Sequence, residues 1–142
     1  MLQHAGYATA LVFATVAVHT ACTLWVLRWV RHADFQDRVR RSYLAQGATL
    51  SSLVFLMCLA AVLESGMWAS AYLWLGALST PEEALYFSLV TFTTLGYGDV
   101  TLHEDWRLLS GFQAANGTLM FGWTTALIVA IAQRVFAEAE AD

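Results

Sequence analysis

Lysine is missing from this chain of 142 residues, proline occurs once, cysteine twice, and charged residues make up only 13%. Each shortage removes a class of protein. So few charges cannot dress the surface of an ordinary soluble domain. Seven basic residues, all arginine, stand against eleven acidic ones for a net charge of −4, so nothing in the charge balance argues for nucleic acid. Cys22 and Cys58 lie in the middle of separate apolar stretches and read as small buried hydrophobes, not as a disulfide or metal pair. No basic residue falls in the first apolar stretch before Arg28, the reverse of a cleaved signal peptide, so a retained helix is expected there. Arginines at every third position within a span are absent too, which excludes a voltage sensor.

What the chain has instead is hydrophobic residue, at 58%, and aromatics: six Trp, five Tyr and eight Phe, the groups that collect at membrane interfaces. Three apolar segments stand out, from about Tyr7 to Val30, from about Leu44 to Leu63 with a possible helical extension toward Leu75, and from about Trp106 to Phe136. A bilayer core takes about 20 helical residues, so each can span. The expected fold class is an all-α membrane protein with three transmembrane helices. Residues 1–43 form an extra N-terminal transmembrane helix and an Arg-rich connection, and residues 44–142 form a single further domain.

Between the second and third segments lies a stretch too short to span. Thr80 suits an N-cap, Pro81 suits the first helical position, and Glu83 three residues after Thr80 completes a capping-box pattern. A short helix is expected from Pro81 to about Thr93, its partly negative carboxyl end aimed at the membrane centre. Five of the seven arginines, Arg28, Arg31, Arg38, Arg40 and Arg41, cluster around the connection between the first two segments. The positive-inside rule places that connection in the cytoplasm, the N-terminus outside and the C-terminus inside a cell membrane.

Directly behind the short helix stands Thr93-Thr94-Leu95-Gly96-Tyr97-Gly98-Asp99-Val100-Thr101. Two glycines flanking a tyrosine open backbone angles closed to other residues. Alternating left- and right-handed conformations then turn successive carbonyl oxygens toward one axis, where a ring of them can replace the water shell of a dehydrated cation. In this string, with a short helix before it and a long apolar helix after it, the chain resembles the potassium channels of the pore-loop superfamily, small prokaryotic type, whose filter reads Thr-Val-Gly-Tyr-Gly-Asp. Leu95 takes the valine place. The resemblance covers roughly residues 44 to 136. Val90 stands where some members carry a glutamate behind the filter, and Tyr86-Phe87 replaces two tryptophans.

The resemblance implies a pore domain of outer helix, pore helix, selectivity filter and inner helix. It implies a homotetramer, because one pore loop closes only a quarter of a filter. The function it implies is passive, K⁺-selective conduction, with no enzyme activity, no organic cofactor and K⁺ as the permeant ion. Thr94, Leu95, Gly96 and Tyr97 are the expected coordinating residues, with the Thr94 hydroxyl at the innermost site and Gly98 permitting the final turn. Asp99 is expected to brace the filter by accepting a hydrogen bond from the Tyr86 hydroxyl. Alternatives are a weakly selective cation pore, or a non-conducting regulatory subunit that assembles with other channel chains. The partners expected are further copies of the chain and membrane lipids, with no nucleic acid and no soluble ligand-binding domain in this chain.

In the third segment, helical spacing from Thr118 puts Phe121, Gly122, Thr125 and Val129 on one face, expected to line a cavity. Gly117 is either a gating hinge or a site of close helix packing, and the two are compatible. Asn116 falls beside this stripe and is expected to hydrogen-bond a neighbouring helix. His19 has no partner histidine at ligand spacing and is expected to make a helix contact. Glu64, near the outer end of the second segment, is expected at an interface, facing water or hydrogen-bonded. His103, Glu104 and Asp105 are expected around the outer mouth.

Overall fold

A computed structural model describes residues 2–31 and 42–139, and side chains within 5–31 and 42–136. Arg38, Arg40 and Arg41 lie outside the described residues. The chain forms α1 (Leu2–Val30), α2 (Tyr43–Trp74), α3 (Pro81–Phe92) and α4 (Arg107–Ala139), with no strand among the described residues. Three helices are long and apolar enough to cross a membrane, over Ala5–Val30, Tyr43–Trp74 and Arg107–Phe136. The protein is a multi-pass, all-helical membrane protein.

The second apolar segment continues as one helix through to Trp74, well beyond Leu63. The reason is compositional: Glu64, Ser65 and Gly66 interrupt the hydropathy but no proline interrupts the backbone. α2 ends at Leu75, and Gly76, at φ 68°, turns the chain in a left-handed conformation that a glycine adopts without cost. α3 begins as its sequence predicts: the Thr80 hydroxyl accepts from the Glu83 N–H at 3.2 Å, with Pro81 in the first turn.

Three polar contacts fix how the helices run. Thr15 meets Asn116 and His19 meets Thr124, so α1 and α4 run the same way. Tyr72 meets Gln113, while Glu64 shares the level of His19 and Thr124, so α2 runs opposite to both. Two apolar clusters hold the bundle. One surrounds Trp68, Tyr72, Phe87, Phe92, Leu109 and Met120. The other joins Val26, Val30, Leu53, Met57, Leu127 and Ile131 toward the opposite end. On α4 the buried positions Gln113, Asn116, Met120, Leu127, Ile131 and Val135 recur every three to four residues, or at seven, and form the stripe that faces the rest of the chain.

α3 has 12 residues, about 18 Å at 1.5 Å per residue, and so cannot cross a core of about 30 Å. Its last residue, Phe92, lies against Gly117 and Phe121 of α4. These stand ten and fourteen residues into α4, so α3 descends partway along the inner helix and stops.

Candidate functional site

At the end of α3 the Thr93 side chain caps its own helix, donating to Leu89 O at 2.8 Å. The next amides turn back onto the same helix end. Thr94 N–H donates to Thr91 O at 3.0 Å, and Leu95 and Gly96 N–H both donate to Val90 O, at 3.0 and 3.2 Å. Backbone donors are thus consumed on the helix side. Among the described residues no backbone amide donates to a carbonyl of residues 94–98.

The dihedral angles explain where those carbonyls go. φ is positive at Thr94 (61°), Gly96 (56°) and Gly98 (79°), with Leu95 and Tyr97 on the ordinary side between them. This is the left–right alternation expected from the Gly-Tyr-Gly string, and it reaches one residue further back than the glycines do. Thr94 is the only described non-glycine residue with positive φ. A β-branched residue there is strained by roughly 1–2 kcal/mol, and such strain persists only where its surroundings fix it. Here the fixing bonds are the amide contacts of residues 94 to 96 to the end of α3. A β-carbon built on Gly96 or Gly98 meets nothing within 4 Å, so in the single chain both glycines answer to backbone angle and not to crowding.

Asp99 follows the last left-handed turn. The Tyr86 hydroxyl donates to Asp99 Oδ2 at 2.6 Å, linking the outer half of α3 to the far end of the loop. Both groups are exposed on the single chain. The bond holds the Asp99 carboxyl below the ordinary carboxylate range and pushes the Tyr86 phenol above its usual value. The aromatic pair divides its work: Phe87, next to Tyr86, turns inward and meets Tyr72 edge-on at 5.3 Å.

Behind α3 lies a buried network not anticipated from the sequence. Tyr72 O–H donates to Gln113 Oε1 at 2.8 Å. Gln113 Nε2 donates to Ser88 O at 3.1 Å and to Ser88 Oγ at 2.6 Å. Ser88 O–H in turn donates to Ser65 O at 2.5 Å. One glutamine thereby ties α2, α3 and α4 together with its amide satisfied on both sides. The available signal was a set of polar residues inside apolar helices, but nothing in their spacing pairs positions 72, 88 and 113.

Thr118, Phe121, Gly122, Thr125 and Val129 are all exposed on the single chain, on α4 away from the buried stripe. Thr118 and Thr125 each return a hydrogen bond to the carbonyl four residues earlier. Gly117 is buried, and a β-carbon there would sit 1.9 Å from Phe92 O. That contact accounts for the glycine by close packing, and α4 passes through it as unbroken helix. Asn116 does bond a neighbouring helix, donating to Thr15 Oγ1 of α1 at 2.6 Å.

Two expectations need correction. Glu64 is not at an interface. Because α2 runs on to Trp74, Glu64 lies ten residues inside the helix, fully buried and 2.9 Å from His19 Nδ1. The cysteines are not both buried: Cys58 is exposed on the single chain and Cys22 half-buried. His103 and Asp105 pair at 3.0 Å, and Arg107 and Glu104 at 3.7 Å, all strongly exposed beyond the loop, where such pairs contribute at most about 1 kcal/mol.

A re-entrant short helix, an extended loop of unpaired carbonyls and two flanking spans together define a pore-loop channel. The family model described as "Ion channel" matches residues 49–134, more than half of the chain, and the protein belongs to that family. No curated protein and no solved structure matches it.

Proposed function

We propose that the protein is a passive K⁺-selective channel, a homotetramer in the cell membrane with its N-terminus outside and its C-terminus in the cytoplasm. One observation carries the reading: φ is positive at every second residue from Thr94 to Gly98, while the carbonyls between are left without backbone donors. Unpaired carbonyls at membrane depth cost several kcal/mol each unless something replaces the missing donor. A dehydrated K⁺ shared among four loops does so. Thr94, Leu95, Gly96 and Tyr97 supply the carbonyls, the Thr94 hydroxyl the innermost ligand, and Gly98 the last turn. Tyr86 and Asp99 brace the outer end. Thr118, Phe121 and Thr125 line the cavity below, and Gly117 is where the inner helix bends if it opens by bending.

Further support comes from what the single chain leaves uncovered. Leu95 is 56% exposed and Tyr97 68%, large side chains that neighbouring copies would cover. Purified protein reconstituted alone in planar bilayers tests the reading. With K⁺ on one side and Na⁺ on the other, a selective pore gives a reversal potential displaced strongly toward the K⁺ equilibrium value. A weakly selective cation pore reverses near zero, and a regulatory subunit passes no unitary current.

A further inference from the structure

The two apolar clusters of the bundle do not meet. On α1 and α4 His19 and Thr124 lie between them, and Glu64, which sits between Ala61 and Trp68 of the first cluster on α2, meets His19 there. His19 is 2% exposed and Glu64 0%, with His19 Nδ1 2.9 Å from Glu64 Oε1. The other ring nitrogen, Nε2, faces Thr124 Oγ1 of α4 at 3.4 Å, and Trp123 meets the imidazole edge-on at 5.4 Å. The second carboxylate oxygen, Glu64 Oε2, is buried with no hydrogen-bond partner.

His19, Glu64 and Thr124 each lie ten residues or more from either end of their membrane spans. Glu64 is the only charged residue of α2, and α4 carries charge only toward its ends, at Arg107, Arg134 and Glu138. Among the described residues the other titratable group near the carboxylate is Cys22, one turn beyond His19 on α1 and in electrostatic contact with Glu64. From α4 the pair is faced by Thr124 and Trp123, neither of which titrates. α3 reaches Phe92 in the other cluster and presents no ionisable group here. No other charge among the described residues therefore compensates the pair. With one proton between them, His19 and Glu64 are neutral overall, as an ion pair or as imidazole and acid. A second proton gives the pair a net positive charge that no described neighbour compensates. In the imidazole-and-acid form Nδ1–H donates to Glu64 Oε1, the acid proton sits on the unpaired Oε2, and Nε2 is the atom on which a second proton would arrive.

We propose that His19 and Glu64 form an intramembrane proton-binding site through which α1 controls the inner helix. Taking up the second proton turns Nε2, the acceptor that faces Thr124, into a donor and breaks this contact. α4, held to α1 through Thr124 and Trp123, is then released, and the residue next to Thr124 is Thr125 of the proposed cavity face. The control step rests on the channel reading above. The proton site does not.

Two measurements keep them apart. In protein with ¹⁵N-labelled histidine side chains, His19 is assigned as the signal lost in His19→Gln, and its charge state is followed between about pH 5 and about pH 8, where histidine changes charge. We expect a transition whose midpoint moves in Glu64→Gln. A His19 signal that does not change in this range, or that titrates identically in Glu64→Gln, overturns the site whether or not the protein conducts. In bilayers, the open probability of the parent should change about tenfold or more across the same range. His19→Gln and Glu64→Gln should flatten that dependence with unitary conductance unchanged, while His103→Gln at the outer mouth should keep it. An open probability that ignores pH in the parent, or a dependence retained in His19→Gln, overturns the control step. Absence of any current with an intact His19 titration overturns the channel reading and with it the control step, and leaves the site standing.

Discussion

Gly96 and Thr94 hold the same left-handed backbone region with different side chains, φ 56° against 61°. At Thr94 the strain of roughly 1–2 kcal/mol is tolerated. At Gly96 a β-carbon adds the same cost again in every copy of the loop, with no steric neighbour to blame. Gly96→Ala is therefore expected to leave insertion and assembly intact and to abolish or de-select the current, read as a bi-ionic reversal potential moved toward zero. An unchanged K⁺ over Na⁺ preference would remove the filter assignment. Tyr86→Phe deletes the phenol donor to Asp99 Oδ2 and is expected to shorten the time the pore stays conducting in steady recordings. The pH window of this bond follows from its two shifts. Asp99 is held below its usual value, so its contribution is present above the ordinary carboxylate range and is lost only as pH falls through the lowered value. Tyr86 is held above its usual value, so its contribution is complete below the ordinary phenol range and fades only at stronger alkalinity. Bracing should be level through neutral pH, and any neutral-range dependence that survives in Tyr86→Phe belongs to another group.

Among elements, the seat of α3 on α4 is set by one missing side chain. Gly117 lets the inner helix touch the backbone of Phe92, an atom that cannot swing aside. Gly117→Ala is expected to cost about 1–3 kcal/mol per chain as overpacking, seen as a lower melting temperature in detergent. Gly122→Ala, where the new carbon meets nothing within 4 Å, should leave the melting temperature nearly unchanged. If Gly117→Ala melts like the parent, close packing is not why glycine is there. The same elements are tied by Gln113. Gln113→Leu strands the Tyr72 hydroxyl and removes the two hydrogen bonds that Ser88 O and Oγ accept, with an expected loss of about 1–3 kcal/mol for each buried group left unsatisfied. A variant as stable as the parent would show that the network is replaceable by apolar packing.

For the whole molecule, the exposed face of α4 and the exposed loop are the surfaces that other copies must cover. Four copies around one axis are expected, with α1 outermost because it packs on α2 and α4 and not on the loop. Native mass measurement in mild detergent and lipid checks this, and a stable monomer or dimer would count against it. Trp74 and Tyr7, in edge contact at 6.0 Å, and the stacked Trp25 and Trp29 mark opposite ends of the bundle, as membrane-interface aromatics do.

Hydropathy fixed the three spans because bilayer crossing is a property of a stretch of about 20 residues taken alone. Thr80, Pro81 and Glu83 fixed the start of α3 because capping is local, and Gly96 and Gly98 fixed the alternation of the loop because positive φ is a matter of one residue's own sterics. The resemblance to potassium channels, in which an aromatic donor does this job, also paired Tyr86 with Asp99. Only the tertiary structure decided the rest. Gln113 with Ser88 and Tyr72, Asn116 with Thr15, and His19 with Glu64 are partners up to 101 residues apart, and each polar residue on its own looked like an isolated exception in an apolar helix. Inside a membrane such groups must find one another, because neither lipid nor water will serve them. Which ones meet depends on the rotation and depth of whole helices, and those are set by the packing of α1, α2 and α4 together.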